Sequence, residues 1–405
     1  MEVERPKIRN LLKSFARKRR RAADQESEVA LEIDTSAYEG TPVIWSRRRF
    51  KKCHLYPTIR QEKRRNPRPP TQDKLQQAKD KASGFRKFTH GKVILRDTTN
   101  GGEVIAVIEF TPLDKLSPEE KNEINFVTTY LHQMKQFVHP IGPSRTWGGK
   151  MWGIGWRKSM TSLELFGQYV HGAAIKRAPK KYRELVSKSR EVANILGKMF
   201  KDLGGVAFDS NQQIMHKNSI PSYGSTEFGK PLEAYNCAPH ITFTTNGFFN
   251  PPHIDSGDAS QWAFAIFVPT HVKDGSLASS KDGYDVNGGL FAFPDYDCCI
   301  DFEQQGLVKL IWAANRVKHC TLPANESPKF TRMGMSMQIP TKTATTCSAI
   351  RSGLIYLRKS YRSTMNTYIG GHRVIMNRLK CMFQSLTLSS ILSLNNADVI
   401  HHFKV

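Results

Sequence analysis

Acidic residues are scarce in this chain. Lys and Arg number 60 against 36 Asp and Glu, which leaves a formal charge of +24 over 405 residues. Such a balance suits a polyanionic partner, nucleic acid first and an anionic membrane surface second. Long apolar runs are also missing: no stretch approaches the roughly 20 residues that a membrane-spanning helix needs. The first nine residues, Met1 to Arg9, are polar and charged and do not read as a secretory signal. Cysteines are few and irregular. The seven (Cys53, Cys237, Cys298, Cys299, Cys320, Cys347 and Cys381) include no C-x-x-C pair, so neither a zinc-finger pattern nor a disulfide framework is expected. Free buried thiols in a reducing compartment are the expectation. The H-x-E and P-C-x-x-C elements of zinc deaminases are absent too.

What is present is uneven. Residues 1–100 hold 26 Lys and Arg against 12 Asp and Glu, which is +14 of the +24. Three basic clusters lie there: Arg17–Arg21, Arg47–Lys52, and Lys63–Pro70 with its proline-rich end. Apolar periodicity is weak over residues 1–84, which read as a disordered basic tail suited to nuclear import or polyanion contact. Order is expected from Phe85. Two β-branched runs, Lys92–Arg96 and Glu103–Phe110, flank a turn cluster and predict a hairpin. Ser117-Pro118-Glu119-Glu120 predicts a helix start, with the helix running to about Val138. A second helix is predicted over Pro179–Leu203, stopped by Gly204-Gly205. Trp147, Trp152 and Trp156 lie among glycines and cations. A packed aromatic loop is expected there ahead of a base-stacking surface.

Past Gly205 the runs become short, aromatic and β-branched: 241–244, 262–268, 289–293, 307–312 and 332–339. Evenly spaced short strands after helices predict an α+β chain with a β-sandwich or jelly-roll core over about 205–345. Residues 270–287, rich in Gly, Ser, Asp and Lys, read as a flexible insert. The stretch 351–405 reads as a basic extension, whose last twenty residues carry no usable signal.

The candidate chemistry centres on Pro251-Pro252-His253-Ile254-Asp255-Ser256-Gly257-Asp258. On a strand, residues two apart share a face, so His253 and Asp255 would project together. With His319 they form a two-His, one-carboxylate set, the pattern that binds non-haem Fe(II) and leaves positions open. Alone, H-x-D is a weak signal; the ordered set of H-x-D, strands, a later His and then Arg332 strengthens it. Arg332 opens a Met-rich strand and could hold the far carboxylate of a keto-acid co-substrate, which needs a planar permanent cation. Lys329 is its nearest rival. Asp258 could be a turn residue, or an acceptor for the exocyclic amine of cytosine.

These residues resemble the TET/JBP family of 2-oxoglutarate- and Fe(II)-dependent dioxygenases, in its fungal Tet-like branch. The motifs that carry the resemblance are P-P-H-I-D-S-G-D at 251–258, N-G-G-L-F-A-F-P-D-Y at 287–296, V-K-H at 317–319, and Arg332. The resemblance implies a double-stranded β-helix flanked by N-terminal helices, in an oxygenase domain over 85–350. It implies iron on His253, Asp255 and His319, and 2-oxoglutarate on Arg332, with O2 as co-substrate. Many members carry Ser two residues past the Arg; here Gly334 stands there and Ser336 comes two later, facing the same way. The activity implied is oxidation of the methyl group of 5-methylcytosine in flipped-out methylated DNA, in the nucleus. The rivals are the same chemistry on thymine, an alkylated base, RNA or protein, and a transposon-derived DNA-binding protein without catalysis.

Overall fold

The computed structural model describes residues 40–49, 52–56, 69–99, 101–142, 146–159, 161, 163–357 and 367–378. The clusters Arg17–Arg21 and most of Lys63–Pro70, and the last residues from 379, lie outside the described residues. Among the described residues no helix is long and apolar enough to cross a membrane.

Two sheets face each other. The strands of the larger are β1 (Val43–Ser46), β3 (Lys92–Asp97), β4 (Val104–Thr111), β5 (Gly148–Lys158), β6 (Glu164–Gln168), β7 (His240–Phe249), β8 (Ala263–His271), β12 (Leu307–Trp312), β15 (Phe330–Met337) and β16 (Tyr368–Ile369). Their spatial order is β1-β3-β4-β12-β8-β15-β7-β5-β6-β16. The smaller sheet orders β13 (Cys320–Thr321), β10 (Phe291–Phe293), β11 (Cys298–Ile300) and β2 (Arg86–Phe88). A two-stranded ribbon joins β9 (Asn287–Gly288) to β14 (Ala324–Asn325). This is the expected jelly-roll core in an α+β chain.

The pleat decides what each face carries. On β15, Met333, Met335 and Met337 pair with Val268, Ile266 and Phe264 of β8. That face meets the long helix Pro179–Leu203, where Phe200 stacks on Phe264 with centroids 4.9 Å apart. The helix buries Leu185, Val192, Leu196 and Phe200, an apolar stripe of helical period. The opposite face of β15 carries Arg332, Gly334 and Ser336, level with Pro269, Phe267 and Ala265. Phe267 meets Phe291 of the smaller sheet at 5.7 Å. The space between the sheets is therefore lined from β15 by Arg332 and Ser336, and a one-residue register slip would exchange them for methionine.

Local signals hold where they were strong. The helix Pro118–Met134 starts on a full capping box, with Ser117 accepting from the Glu120 backbone and the Glu120 carboxylate accepting from the Ser117 backbone. The predicted hairpin is β3–β4. Trp152 and Trp156 are buried as expected, although on strand β5 instead of a loop. Trp152 stacks on Phe243, and Trp156 on Phe166.

Four expectations are corrected. Order does not wait for Phe85: β1 and the helix Gln72–Ser83 precede it, and the helix buries Ala78 and Ala82 in a cluster with Leu55, Phe85 and Cys320. Strands do not begin at Gly205, because Gly204 stops one helix and a second, Gly205–Asn218, starts at once. The sheet is not confined to 205–345, since β3, β4 and β5 come from upstream and β16, from the C-terminal stretch, pairs with β6. The stretch 270–287 is packed: Ala278, Tyr284 and Val286 are buried with Phe330, and the Asp282 carboxylate accepts from the Ser279 backbone and hydroxyl. Its polar composition reflects turns made by Asp and Gly around three apolar anchors.

Candidate metal centre

Asn250 sets the approach to the site. Its backbone N–H donates to Thr321 O (3.2 Å) and its side-chain oxygen accepts from Thr321 N (2.8 Å), which fastens the end of β7 to β13. Pro251 and Pro252 hold the chain extended, having no N–H to lose. His253 and His319 then pair directly across an antiparallel bridge, each backbone N–H donating to the other's carbonyl at 3.0 and 2.9 Å. Paired residues of this kind put their side chains on one side. The long spacing between them in sequence becomes the shortest spacing in the fold. Asp255 is placed by its backbone N–H, which donates to Ala314 O at 3.0 Å.

The donor atoms of His253, Asp255 and His319 all lie within 4.8 Å of one another. Asp255 Oδ1 is 3.6 Å from His253 Nε2, and Oδ2 is 3.5 Å from His319 Nε2. The tautomers follow from the carbonyl that each ring meets at Nδ1. His253 Nδ1 is 2.9 Å from Pro251 O, and His319 Nδ1 is 2.9 Å from Val317 O. A carbonyl can only accept, so each Nδ1 carries the hydrogen and each Nε2 presents a lone pair. Two bare imidazole nitrogens and a carboxylate thus converge. That donor set calls for a cation, and adjacent donors bound at about 2.0–2.2 Å would sit roughly 3 Å apart. The two carboxylate–imidazole separations need only a slight contraction.

Burial is graded around the site. The His319 side chain is 4% exposed, Asp255 19% and His253 36%. His319 is held between Phe291, near-parallel at 5.7 Å, and Trp312, edge-on at 5.2 Å. The His253 side therefore faces outward and the His319 side faces the space between the sheets. A family model for the Tet-like 2OG-Fe(II) oxygenase superfamily matches residues 117–324, a span that includes all three donors. The chain belongs to that superfamily.

Membership makes the chain an oxygenase whose cofactors are Fe(II), 2-oxoglutarate and O2. His253, Asp255 and His319 are the residues that would hold the iron. Among solved structures, similarity is found to NgTET1 in complex with 5mC DNA, at 12% identity and TM-score 0.38, covering 78% of this chain and 90% of that one. A Pseudomonas putida prolyl-4-hydroxylase matches at 10% identity and TM-score 0.26, covering 58% and 92%. A Trichoplax adhaerens prolyl hydroxylase bound to a hypoxia inducible factor peptide fragment matches at 14% and 0.26, covering 61% and 87%. No curated protein sequence matches the chain.

Arg332 lies beyond the matched span, across the inter-sheet space. Its Nη1 donates to Gly288 O at 2.9 Å, and its guanidinium carbon stands 4.3 Å over the Phe302 ring. The Arg332 backbone N–H donates to Glu326 Oε1 at 3.0 Å. Burial pulls its pKa below the usual arginine range, with Tyr284, Glu326 and Asp301 opposing; arginine stays charged regardless. The planar fork suits a carboxylate. Lys329, the rival, is exposed.

Gly288 and Gly289 have φ of +70° and +67°, where a side chain is strained. A Cβ on Gly289 would come 2.6 Å from Arg332 Nη1. The N-G-G of 287–289 is therefore a backbone cradle for the arginine. Gly334 also has a reason: a Cβ there would meet Thr244 Oγ1 at 2.9 Å and Phe267 at 3.1 Å. Ser336 shares Arg332's face and lies 2.8 Å, Oγ to Oγ1, from Thr242. Asp258 is half-buried; its backbone N–H donates to Asp255 O at 2.9 Å and it forms an isolated antiparallel bridge with Pro340. Phe302, Tyr284 and Thr242 were not singled out from sequence. Only the period-2 alternation of β7 marked Thr242, and nothing local marked the other two.

Proposed function

We propose that this oxygenase oxidises the methyl group of 5-methylcytosine in DNA, acting on a base turned out of the helix. What supports the reading is the set of His253, Asp255 and His319 within a Tet-like oxygenase, opening outward on the His253 side beside Asp258. The +24 charge supplies sequence-independent attraction to phosphates. A methyl group in the major groove cannot reach donors recessed between two sheets, so base flipping or a single-stranded substrate is needed.

With iron, 2-oxoglutarate and O2 bound, the site supplies hydroxylation of a C–H bond. The chain's own residues do the rest. Pro251 O and Val317 O fix the two imidazole rings by accepting from Nδ1. Phe291 and Trp312 exclude water from the His319 side. In this reading Arg332 anchors the far carboxylate of the co-substrate, Ser336 lines the same face further along the strand, and Asp258 accepts from the exocyclic amine of the base. Nuclear localisation goes with the proposal, carried by the basic clusters of the first 70 residues.

The test is nucleoside mass spectrometry after incubating protein with methylated DNA, Fe(II), ascorbate and 2-oxoglutarate, beside His253→Ala. Oxidised methylcytosine from wild type alone is expected. Succinate release that depends on His253 without an oxidised base would reject the substrate and keep the oxygenase. Asp258→Ala should lower base oxidation more than uncoupled 2-oxoglutarate turnover, and equal loss of both would remove Asp258 from base reading.

A further inference from the structure

The family's serine position is Gly334 here, packed shut by Thr244 and Phe267. A hydroxyl for the co-substrate's far carboxylate must come from elsewhere, and one stands beside the arginine. Tyr284 is 5% exposed, anchored edge-on against Phe330 at 5.6 Å in the cluster with Ala278 and Val286. Its hydroxyl oxygen lies against the Arg332 guanidinium, which can only donate to it, and no acceptor for the hydroxyl's own hydrogen is found among the described residues. A buried donor without an acceptor costs about 1–3 kcal/mol, and a carboxylate bound to the neighbouring cation would supply one.

The rest of the arginine is committed in a way that leaves one side for a ligand. Nη1 is held by Gly288 O and the ring of Phe302 covers one face. Glu326, the nearest acid, turns Oε1 to the Arg332 backbone N–H. Ser336 lies four residues along the strand, about 13 Å in rise, and already has Thr242 as its partner at 2.8 Å.

We propose that Tyr284 is the second donor at the co-substrate site: its hydroxyl donates to the same carboxylate of 2-oxoglutarate that Arg332 holds. The segment 270–287 would then supply a binding residue, and its packed apolar anchors would be what aims the phenol. The proposal rests on the family's co-substrate and not on the nucleobase reading, and its test uses no nucleic acid.

The experiment is anaerobic calorimetric titration of the Mn(II)-loaded full chain with 2-oxoglutarate and, separately, with pyruvate, which has the keto acid but lacks the far carboxylate. Tyr284→Phe should weaken 2-oxoglutarate binding by about tenfold or more, the range for a hydrogen bond to a charged group, and leave pyruvate binding unchanged. Ser336→Ala should weaken 2-oxoglutarate binding less than Tyr284→Phe. Wild-type affinity for 2-oxoglutarate in Tyr284→Phe would overturn the proposal. So would equal loss for both keto acids, since that assigns the phenol to the fold.

Discussion

The glycine pair beneath Arg332 allows steric effects to be separated from backbone strain. Gly288 and Gly289 have nearly the same φ, +70° and +67°, so alanine at either should cost a similar ~1–2 kcal/mol of left-handed strain. Their surroundings differ. A Cβ at Gly288 meets nothing closer than Pro323 O at 3.5 Å, whereas at Gly289 it comes 2.6 Å from Arg332 Nη1 and 2.9 Å from Ala324 Cβ. Relief to ordinary contact moves the guanidinium by nearly 1 Å, and the Nη1 bond to Gly288 O (2.9 Å) is lost with it. A hydrogen bond to a charged group is worth about 1.5–3 kcal/mol, so with Arg332 as the proposed anchor, its displacement should weaken 2-oxoglutarate binding by roughly 10- to 150-fold. The assay is anaerobic titration of Mn(II)-loaded protein with 2-oxoglutarate, with thermal melts alongside. Both variants should lose stability, Gly289→Ala the more through Ala324 and the lost Nη1 bond, and only Gly289→Ala should lose co-substrate affinity. Equal affinities in the two variants would refute the claim that the pair cradles the arginine.

Two other outcomes follow from burial and charge. His319→Ala and His253→Ala should each abolish iron retention by elemental analysis, but His319→Ala should also lower the melting temperature of metal-free protein more. It empties a buried slot between Phe291 and Trp312, whereas His253 is 36% exposed; equal melting would place no packing role on His319. Glu109 stands between Lys309 and Lys92, the latter 3.4 Å away. Burial pushes its pKa up, but the two lysines outweigh burial and leave it below the usual range. A lowered folded pKa gives stability that is present above the unfolded value, near 4.5, and lost as pH falls through the folded one. Glu109→Gln should therefore flatten the melting temperature against pH in that acid window, and an unchanged acid limb would exclude the pair as its source.

Several elements could be read from local chemistry alone. The Ser117 capping box, the Pro179–Leu203 stripe and the β3–β4 hairpin are set by contacts within a few residues. The H-x-D and the later histidine could be named too, because few other residue sets satisfy open iron coordination. Composition misled in two places. Polar residues suggested flexibility at 270–287, where three apolar side chains suffice to anchor the loop. Weak periodicity hid the helix Gln72–Ser83, which needs only Ala78 and Ala82 to dock.

The sequence by itself determined the ligand types, the order in which they occur and the alternation that turns Arg332 inward and methionine outward. Those are properties of residue chemistry and of a two-residue pleat. Only the tertiary structure decided that His253 and His319 are bridge partners, that each ring is oriented by the carbonyl two residues before it, and that Gly289, Phe302 and Tyr284 surround the arginine. These groups lie tens of residues apart in the chain, and no local rule relates them. Sheet pairing and the facing of the two sheets bring them within a few ångströms.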